Sequence, residues 1–194
     1  MNAAVLFDRD GIVNELVPDP DSGLPESPLH PEDVTLVPSA PAALRALRDA
    51  GFLLVGISNQ PAAAKGTVSR DELDRVQSRV LDLLAEEGIV PDGFFICFHH
   101  PLGVVQELTG ECECRKPAPG LLLEAAVALD LDLETSWMLG DTDADVEAGR
   151  AAGSRTILVE YPGSAHKRRS TVDPDIRASD VEIASRRILV HRSR

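Results

Sequence analysis

A chain of 194 residues, 43% of them hydrophobic, is long enough to bury one substantial core and too apolar to be a disordered segment. Its formal net charge of −13 repels nucleic acid and anionic lipid, so neither is an expected partner. No apolar run approaches the ~20 residues a membrane helix needs, and the chain enters a strand pattern at once without a signal-like segment, so a soluble cytoplasmic protein is expected.

Residues 3–7 form a short apolar run that reads as a buried strand of a parallel sheet. It ends in Asp8-Arg9-Asp10, and Gly11 then lets the backbone turn. In extended chain, residues i and i+2 point the same way, so the two carboxylates project together at the carboxyl edge of the sheet, where open α/β folds hold ligands. Two like charges this close need a cation or a shared proton, although a solvated turn after an edge strand has the same pattern. Residues 12–38 are an irregular stretch rich in Pro and acidic side chains, and a loop of that length is usually functional or mobile. A helix follows over 41–50, closed by Gly51, and then a second buried strand over 52–57 that runs into Ser58-Asn59-Gln60-Pro61.

Ser69-Arg-Asp-Glu72 has capping-box spacing and opens a helix that runs to Gly88. Strands are expected over 93–98, 136–140 and 155–159, and helices over 119–129, 143–152 and 179–189. Residues 161–174 read as a surface excursion, and their basic cluster His166-Lys167-Arg168-Arg169 as a solvated face. Strands alternating with helices mean an α/β fold with a mainly parallel sheet and right-handed crossovers, in one domain spanning 1–194. Strand order is not readable at this stage.

Four polar clusters fall at equivalent places. Asp8 and Asp10 follow the first strand, Ser58 ends the second, Lys116 opens the helix leading to the fourth, and Asp141 and Asp145 follow the fourth. Singly each has an ordinary reading as a cap, a turn former or a surface charge. Together they suit phosphoryl transfer. Carboxylates from two strands hold Mg²⁺, a carboxylate nucleophile accepts the phosphoryl group, and a lysine with a hydroxyl grips the equatorial oxygens. The three cysteines, all between 97 and 114, are not a secreted disulfide framework. Cys97, His99, Cys112 and Cys114 supply three thiolates and an imidazole, the donor set of a closed structural zinc site, with an iron–sulfur cluster as the alternative. A disulfide between Cys112 and Cys114 would be strained. Zinc here would also fix the adjacent Arg115 and Lys116.

The segments Phe7-Asp-Arg-Asp-Gly11, Ser58-Asn-Gln60, Cys114-Arg-Lys-Pro117 and Gly140-Asp-Thr-Asp-Ala-Asp145, in that order, resemble the haloacid dehalogenase (HAD) phosphatases over about residues 3–159. The resemblance implies a Rossmann-like three-layer sandwich without a large cap domain. It implies Asp8 as nucleophile, Asp10 as general acid and then base, Ser58 against the phosphoryl group, and Lys116 neutralising both that group and Asp8. Mg²⁺ would be held by Asp8, the Asp10 carbonyl and Asp141, with Asp145 behind them.

The zinc loop is similar to the branch containing the D-glycero-D-manno-heptose-1,7-bisphosphate 7-phosphatases and the histidinol-phosphate phosphatases, and its length favours the former. Asn59, Lys65 and Arg115 are then the expected substrate contacts, Lys65 for a second phosphate. Residues 15–33 disagree: Glu15, Asp19, Asp21, Glu26 and Asp33 would suit a cationic substrate, if the loop touches substrate at all. The leading expectation is a monomeric heptose bisphosphate phosphatase using Mg²⁺ and structural Zn²⁺. Histidinol phosphate is the alternative substrate, and a non-catalytic zinc-stabilised binding module the third reading.

Overall fold

The computed structural model describes residues 1–19, 22–169 and 172–192. Strand β1 (Ala4–Phe7) is fully buried, with Ala4 and Leu6 in the core on one side of the sheet and Val5 and Phe7 in the core on the other. It lies between β4 (Leu53–Asn59) and β6 (Trp137–Gly140), parallel to both. Beyond β4 comes β5 (Gly93–Cys97), and beyond β6 come β7 (Arg155–Val159) and β8 (Ile176–Ala178), giving a six-stranded parallel order β5-β4-β1-β6-β7-β8.

Helices cover both faces. Helices α1 (Ala40–Asp49), α2 (Arg70–Glu86) and α5 (Val181–Arg192) pack Leu44, Leu47, Val76, Val80, Ala184 and Ile188 against Val5, Phe7, Leu54 and Ile157. Each leucine or isoleucine so buried contributes roughly 1.5–3 kcal/mol of transfer free energy. On the opposite face, α3 (Gly120–Leu129) and α4 (Asp143–Ala152) bring Leu121, Leu122, Ala125 and Ala148 onto Leu6, Val55, Ile57 and Met138. The result is the three-layer α/β sandwich expected. Among the described residues no helix is long and apolar enough to cross a membrane.

Four local readings change. The stretch 12–38 is not wholly irregular: β2 (Val17–Pro18) and β3 (Pro25–Glu26) pair as a small antiparallel hairpin. Asp19 closes its turn, accepting from Ser22 N–H at 2.8 Å and Ser22 Oγ at 2.7 Å; Asp21 lies outside the described residues. At Ser69 only half of the capping box forms. Its Oγ accepts from Glu72 N–H at 3.1 Å, but the Glu72 carboxylate is spent on His30 at 3.0 Å and on Arg75. Strand β8 was not anticipated, and α5 begins at Val181 because Asp180 accepts from Ile183 N–H at 2.8 Å and caps it. Finally, residues 162–167 form a 3₁₀ helix with Ser164 fully buried, and of the expected solvated face His166, Lys167 and Arg168 are half-buried while Arg169 is exposed. Residues 170 and 171, which follow that basic cluster, are outside the described residues.

Candidate active site

Sheet order reverses beside β1. From β1 the chain steps outward through β4 to β5, then returns to β6 on the other side and steps outward through β7 to β8. Such a reversal leaves a crevice at the carboxyl ends of the strands. Phe7 stands opposite Leu139, and Asp8 N–H donates to the Leu139 carbonyl at 2.9 Å, so Asp8 and Asp141 leave neighbouring strand ends side by side.

Lys116, almost wholly buried, is the hub. Its Nζ lies 2.9 Å from Asp8 Oδ1 and 2.6 Å from Asp145 Oδ1, and donates to the Ile57 carbonyl at 2.8 Å. Burial pushes its pKa down, but Asp145 and Asp8 outweigh that and keep the ammonium charged. Asp145 Oδ2 accepts from Thr142 N–H at 3.0 Å and Oγ1 at 2.6 Å, so one carboxylate both caps α4 and holds the lysine. A Cβ at Gly140 would sit 2.2 Å from the Asp145 Cβ, which is why the strand ends in glycine.

Asp8, Asp141 and Asp145 offer carboxylate oxygens within 4.8 Å of one another. Three carboxylates against one ammonium leave a surplus of two negative charges, what one divalent cation cancels. Burial, opposed by Lys116, pushes the Asp8 carboxyl up to about 7, and burial with Asp8 and Asp145 raises Asp141 well above the usual range. Asp141 Oδ1 is buried with no hydrogen-bond partner, the condition of a metal ligand. Gly11 belongs to the same construction: it turns at φ 83°, and any Cβ there would fall 2.2 Å from Asp141 Oδ2.

Asp10 shares the strand end with Asp8 but not its surroundings. Arg9, fully buried, folds its guanidinium onto the Asp10 carboxylate, with Nε and Nη2 each 3.1 Å from Oδ1. Asn14 Nδ2 donates to Oδ1 at 2.9 Å and Gln60 Nε2 to Oδ2 at 2.6 Å. Burial pushes the Asp10 carboxyl up, yet Arg9, Asn14, Gln60 and Ser27 more than offset it and hold the group below the usual carboxylate range. Gln60 also donates to Ser58 Oγ at 2.9 Å, joining the second strand end to the first. Arg9, Asn14 and Gln60 carry roles that the sequence reading missed. Their one signal was Gln60 at i+2 from Ser58, on the same side of extended chain.

Asn59, expected to touch substrate, is spent elsewhere. Its Oδ1 accepts from Lys116 N–H at 3.1 Å and its Nδ2 donates to the Lys116 carbonyl at 2.9 Å, so it positions the lysine. Arg115 Nη1 donates to the His99 carbonyl at 3.3 Å. Burial and the nearby charges of Arg115 and Lys65 hold His100 below the usual histidine range, which favours its neutral imidazole beside two cations. Lys65 also lines a cleft of ≈ 280 Å³ that runs past Gln60, Ser27 and His30 to the β2–β3 hairpin. Asp19, Glu26 and Asp33 line it too, but Glu26 is paired with Lys167 at 2.7 Å and Asp19 closes the hairpin turn. Glu15, in turn, accepts from Tyr161. Of these side chains Glu26 is paired with a cation, while Glu15 and Asp19 are engaged in hydrogen bonds that hold the protein's own structure.

The second cluster lies where β5 ends. Cys97, His99, Cys112 and Cys114 bring their donor atoms within 4.8 Å, and the three cysteines are free. Their Sγ atoms stand 2.9, 3.2 and 3.6 Å apart, with His99 Nδ1 at 3.5 and 3.8 Å. A tetrahedral zinc with ~2.3 Å bonds to sulfur needs S···S near 3.8 Å, a slight expansion of this arrangement. The donors suit zinc. His100 takes no part; its Nδ1 accepts from Leu102 N–H at 3.1 Å.

A carboxylate at the end of the first strand, a lysine bridging it to a second acidic loop, and a hydroxyl from the next strand define a HAD-type phosphotransfer site. A HAD-hydrolase-like family model matches residues 113–184. The chain is 36% identical over 161 residues to the D-glycero-β-D-manno-heptose-1,7-bisphosphate 7-phosphatase of Yersinia pestis, covering 82% of this chain and 81% of that one. It is 33% identical over 156 residues to the α-anomer enzyme of Photorhabdus laumondii, covering 79% and 80%. The crystal structure of D,D-heptose 1,7-bisphosphate phosphatase from B. bronchiseptica, in complex with magnesium and phosphate, superposes with a TM-score of 0.80 at 26% identity, over 97% of this chain and 99% of that one. The chain belongs to the heptose-1,7-bisphosphate 7-phosphatase family of HAD phosphomonoester hydrolases.

Proposed function

We propose that this chain hydrolyses the 7-phosphate of a D-glycero-D-manno-heptose 1,7-bisphosphate, with Mg²⁺ held by Asp8, the Asp10 carbonyl and Asp141, and structural Zn²⁺ by Cys97, His99, Cys112 and Cys114. One observation carries the reading: Lys116 ties Asp8 to Asp145 while the buried Asp141 Oδ1 beside them has no partner. Bound Mg²⁺ would screen the repulsion between the phosphoryl oxygens and the carboxylates, so that two anions can meet.

Asp8 attacks phosphorus, and the carbon-bound oxygen leaves with a proton from Asp10, giving an aspartyl phosphate. Asp10 starts ionised under Arg9, and a phosphate dianion docking beside it adds a like charge that raises its proton affinity, so that it takes a proton from solvent or from the substrate's monoanion before donating it. A water then attacks the phosphorus of the aspartyl phosphate, Asp10 takes its proton, and inorganic phosphate leaves. Lys116 and Ser58 hold phosphoryl oxygens through both steps. Lys65, with Arg115, supplies the basic group suited to the second phosphate. The reading carries with it a cytoplasmic monomer in which the three free thiols stay reduced.

The test is a side-by-side measurement of kcat/KM for both anomers of the heptose bisphosphate and for histidinol phosphate. The bisphosphate is expected to win by at least about tenfold, since a monophosphate leaves the basic group unpaired. A preference for histidinol phosphate overturns the assignment.

A further inference from the structure

The sequence assigns no chemistry to residues 161–168, yet the structure threads them between the carboxylate site and the hairpin that walls the cleft. Ser164 is fully buried, with Oγ 3.1 Å from the Asp141 carbonyl. Arg168 Nη1 donates to the same carbonyl at 3.1 Å, to Ser164 Oγ at 2.7 Å and to the Tyr161 carbonyl at 3.0 Å. One end of the segment is thus fastened to the backbone of a metal-loop aspartate. The other end reaches the hairpin. Tyr161 donates its hydroxyl to Glu15 just before β2, and Lys167 Nζ pairs with Glu26 on β3 at 2.7 Å. Burial, with Glu15 as acceptor, pushes Tyr161 up to about 12, so it remains a donor at any working pH.

The hairpin depends on contacts from outside it, among them the hydrogen bond of Ser27, just after β3, to Asp10. Its strands are two residues each, and both contain proline, so it cannot be stable alone. Its anchors span 146 residues of sequence for Tyr161 with Glu15 and 141 for Lys167 with Glu26. They fix both of its strands to the segment that grips Asp141.

We infer that residues 161–168 are a positioning strut that sets substrate selectivity: Tyr161 and Lys167 hold the hairpin wall of the cleft at a fixed distance from the carboxylates, so that only a leaving group of the right size reaches both. Neither residue lines the cleft, and neither touches the reacting atoms. The inference rests on the carboxylate site being the phosphatase centre. Wild-type turnover of the bisphosphate tests that premise separately.

The experiment compares Lys167→Ala, Tyr161→Phe and the conservative Lys167→Arg with wild type, at saturating Mg²⁺, on heptose bisphosphate and on p-nitrophenyl phosphate. The flat leaving group of the second substrate offers the hairpin nothing polar to meet. For Lys167→Ala, loss of a partly exposed pair is expected to raise KM for the bisphosphate about fivefold with kcat little changed. Tyr161→Phe should act in the same direction. Both should leave kcat/KM for p-nitrophenyl phosphate within about twofold of wild type, and Lys167→Arg should restore the bisphosphate KM. An unchanged KM for the bisphosphate, or an equal fall on both substrates, overturns the strut as a selectivity element. If wild type fails on the bisphosphate but hydrolyses p-nitrophenyl phosphate, the substrate reading falls. The strut is then judged by whether the variants alter the ranking of other phosphate esters.

Discussion

The carboxylate–lysine centre and the thiol–imidazole cluster both gather buried polar groups, but they are held by different means. The first is assembled from four distant stretches that meet only because six parallel strands bring their ends to one edge. Its members are already paired: Lys116 with Asp8 and Asp145, Asp10 with Arg9, Asn59 with the backbone of Lys116. The second draws its four donors from residues 97–114, most of them on a loop with few buried apolar side chains, tied to the rest mainly by backbone bonds such as those from Val104 and Val105 N–H to the Ala64 carbonyl. A site built on packed strands survives the loss of any one ligand group as a shape; a site built on a loop does not.

The sharpest break is Asp8→Asn. Its neighbours would hold the amide in place, so the fold and its melting temperature are expected to stay close to wild type. Turnover, followed by phosphate release, should fall by at least about 10⁴-fold, because the aspartyl phosphate can no longer form. Activity within tenfold of wild type would remove the nucleophile from the mechanism.

Cys112→Ser should do the opposite, costing structure first and chemistry through it. Bound zinc is expected to drop to background by elemental analysis, and amides of residues 110–118 to lose protection in hydrogen exchange. Turnover should fall roughly 100-fold as Lys116 loses its fixed approach. If zinc is lost while Lys116 stays protected and turnover holds, the two regions are independent.

A smaller effect distinguishes them by pH. Burial raises Asp8 to about 7 and Asp141 above its usual range, so protons compete with Mg²⁺ for the same oxygens. Both pKa values are raised, so the metal-binding ionised forms are lost as pH falls. Half-activation by Mg²⁺ should therefore require up to about tenfold more metal for each pH unit below 7. Zinc content over the same range, pH 6 to 8, is expected to stay constant. A Mg²⁺ requirement independent of pH would show that the two carboxylates are ionised throughout.

How much of this was legible follows from the same contrast. That Asp8, Ser58 and Asp141 gather at one sheet edge was legible because each ends an apolar strand, and the convergence of Cys97, His99, Cys112 and Cys114 because their spacing is local. Arg9 could not, since a charge between two aspartates reads as part of a solvated turn, whereas it is wholly buried beneath Asp10. Strand β8 is three residues with Arg177 in the middle, too short and too polar to signal a strand. The hairpin offers two prolines where a strand pattern would need apolar alternation. The bonds of Asn59 to the Lys116 backbone were not legible because that partner lies 57 residues away. The partners of Lys167 and Arg168, Glu26 and the Asp141 carbonyl, were not legible because they are far off in sequence. A long-range pair leaves no periodicity.

The central position of β1 has a consequence for how the molecule fails. Its amides and carbonyls are laddered on both sides and its side chains are fully buried, so the segment delivering Asp8 should open only when the whole domain unfolds. The hairpin, tied down by a few contacts, opens at far lower cost. Under rising temperature or denaturant the protein should therefore become indiscriminate before it becomes inert, still cleaving simple phosphate esters after it has ceased to tell one sugar phosphate from another.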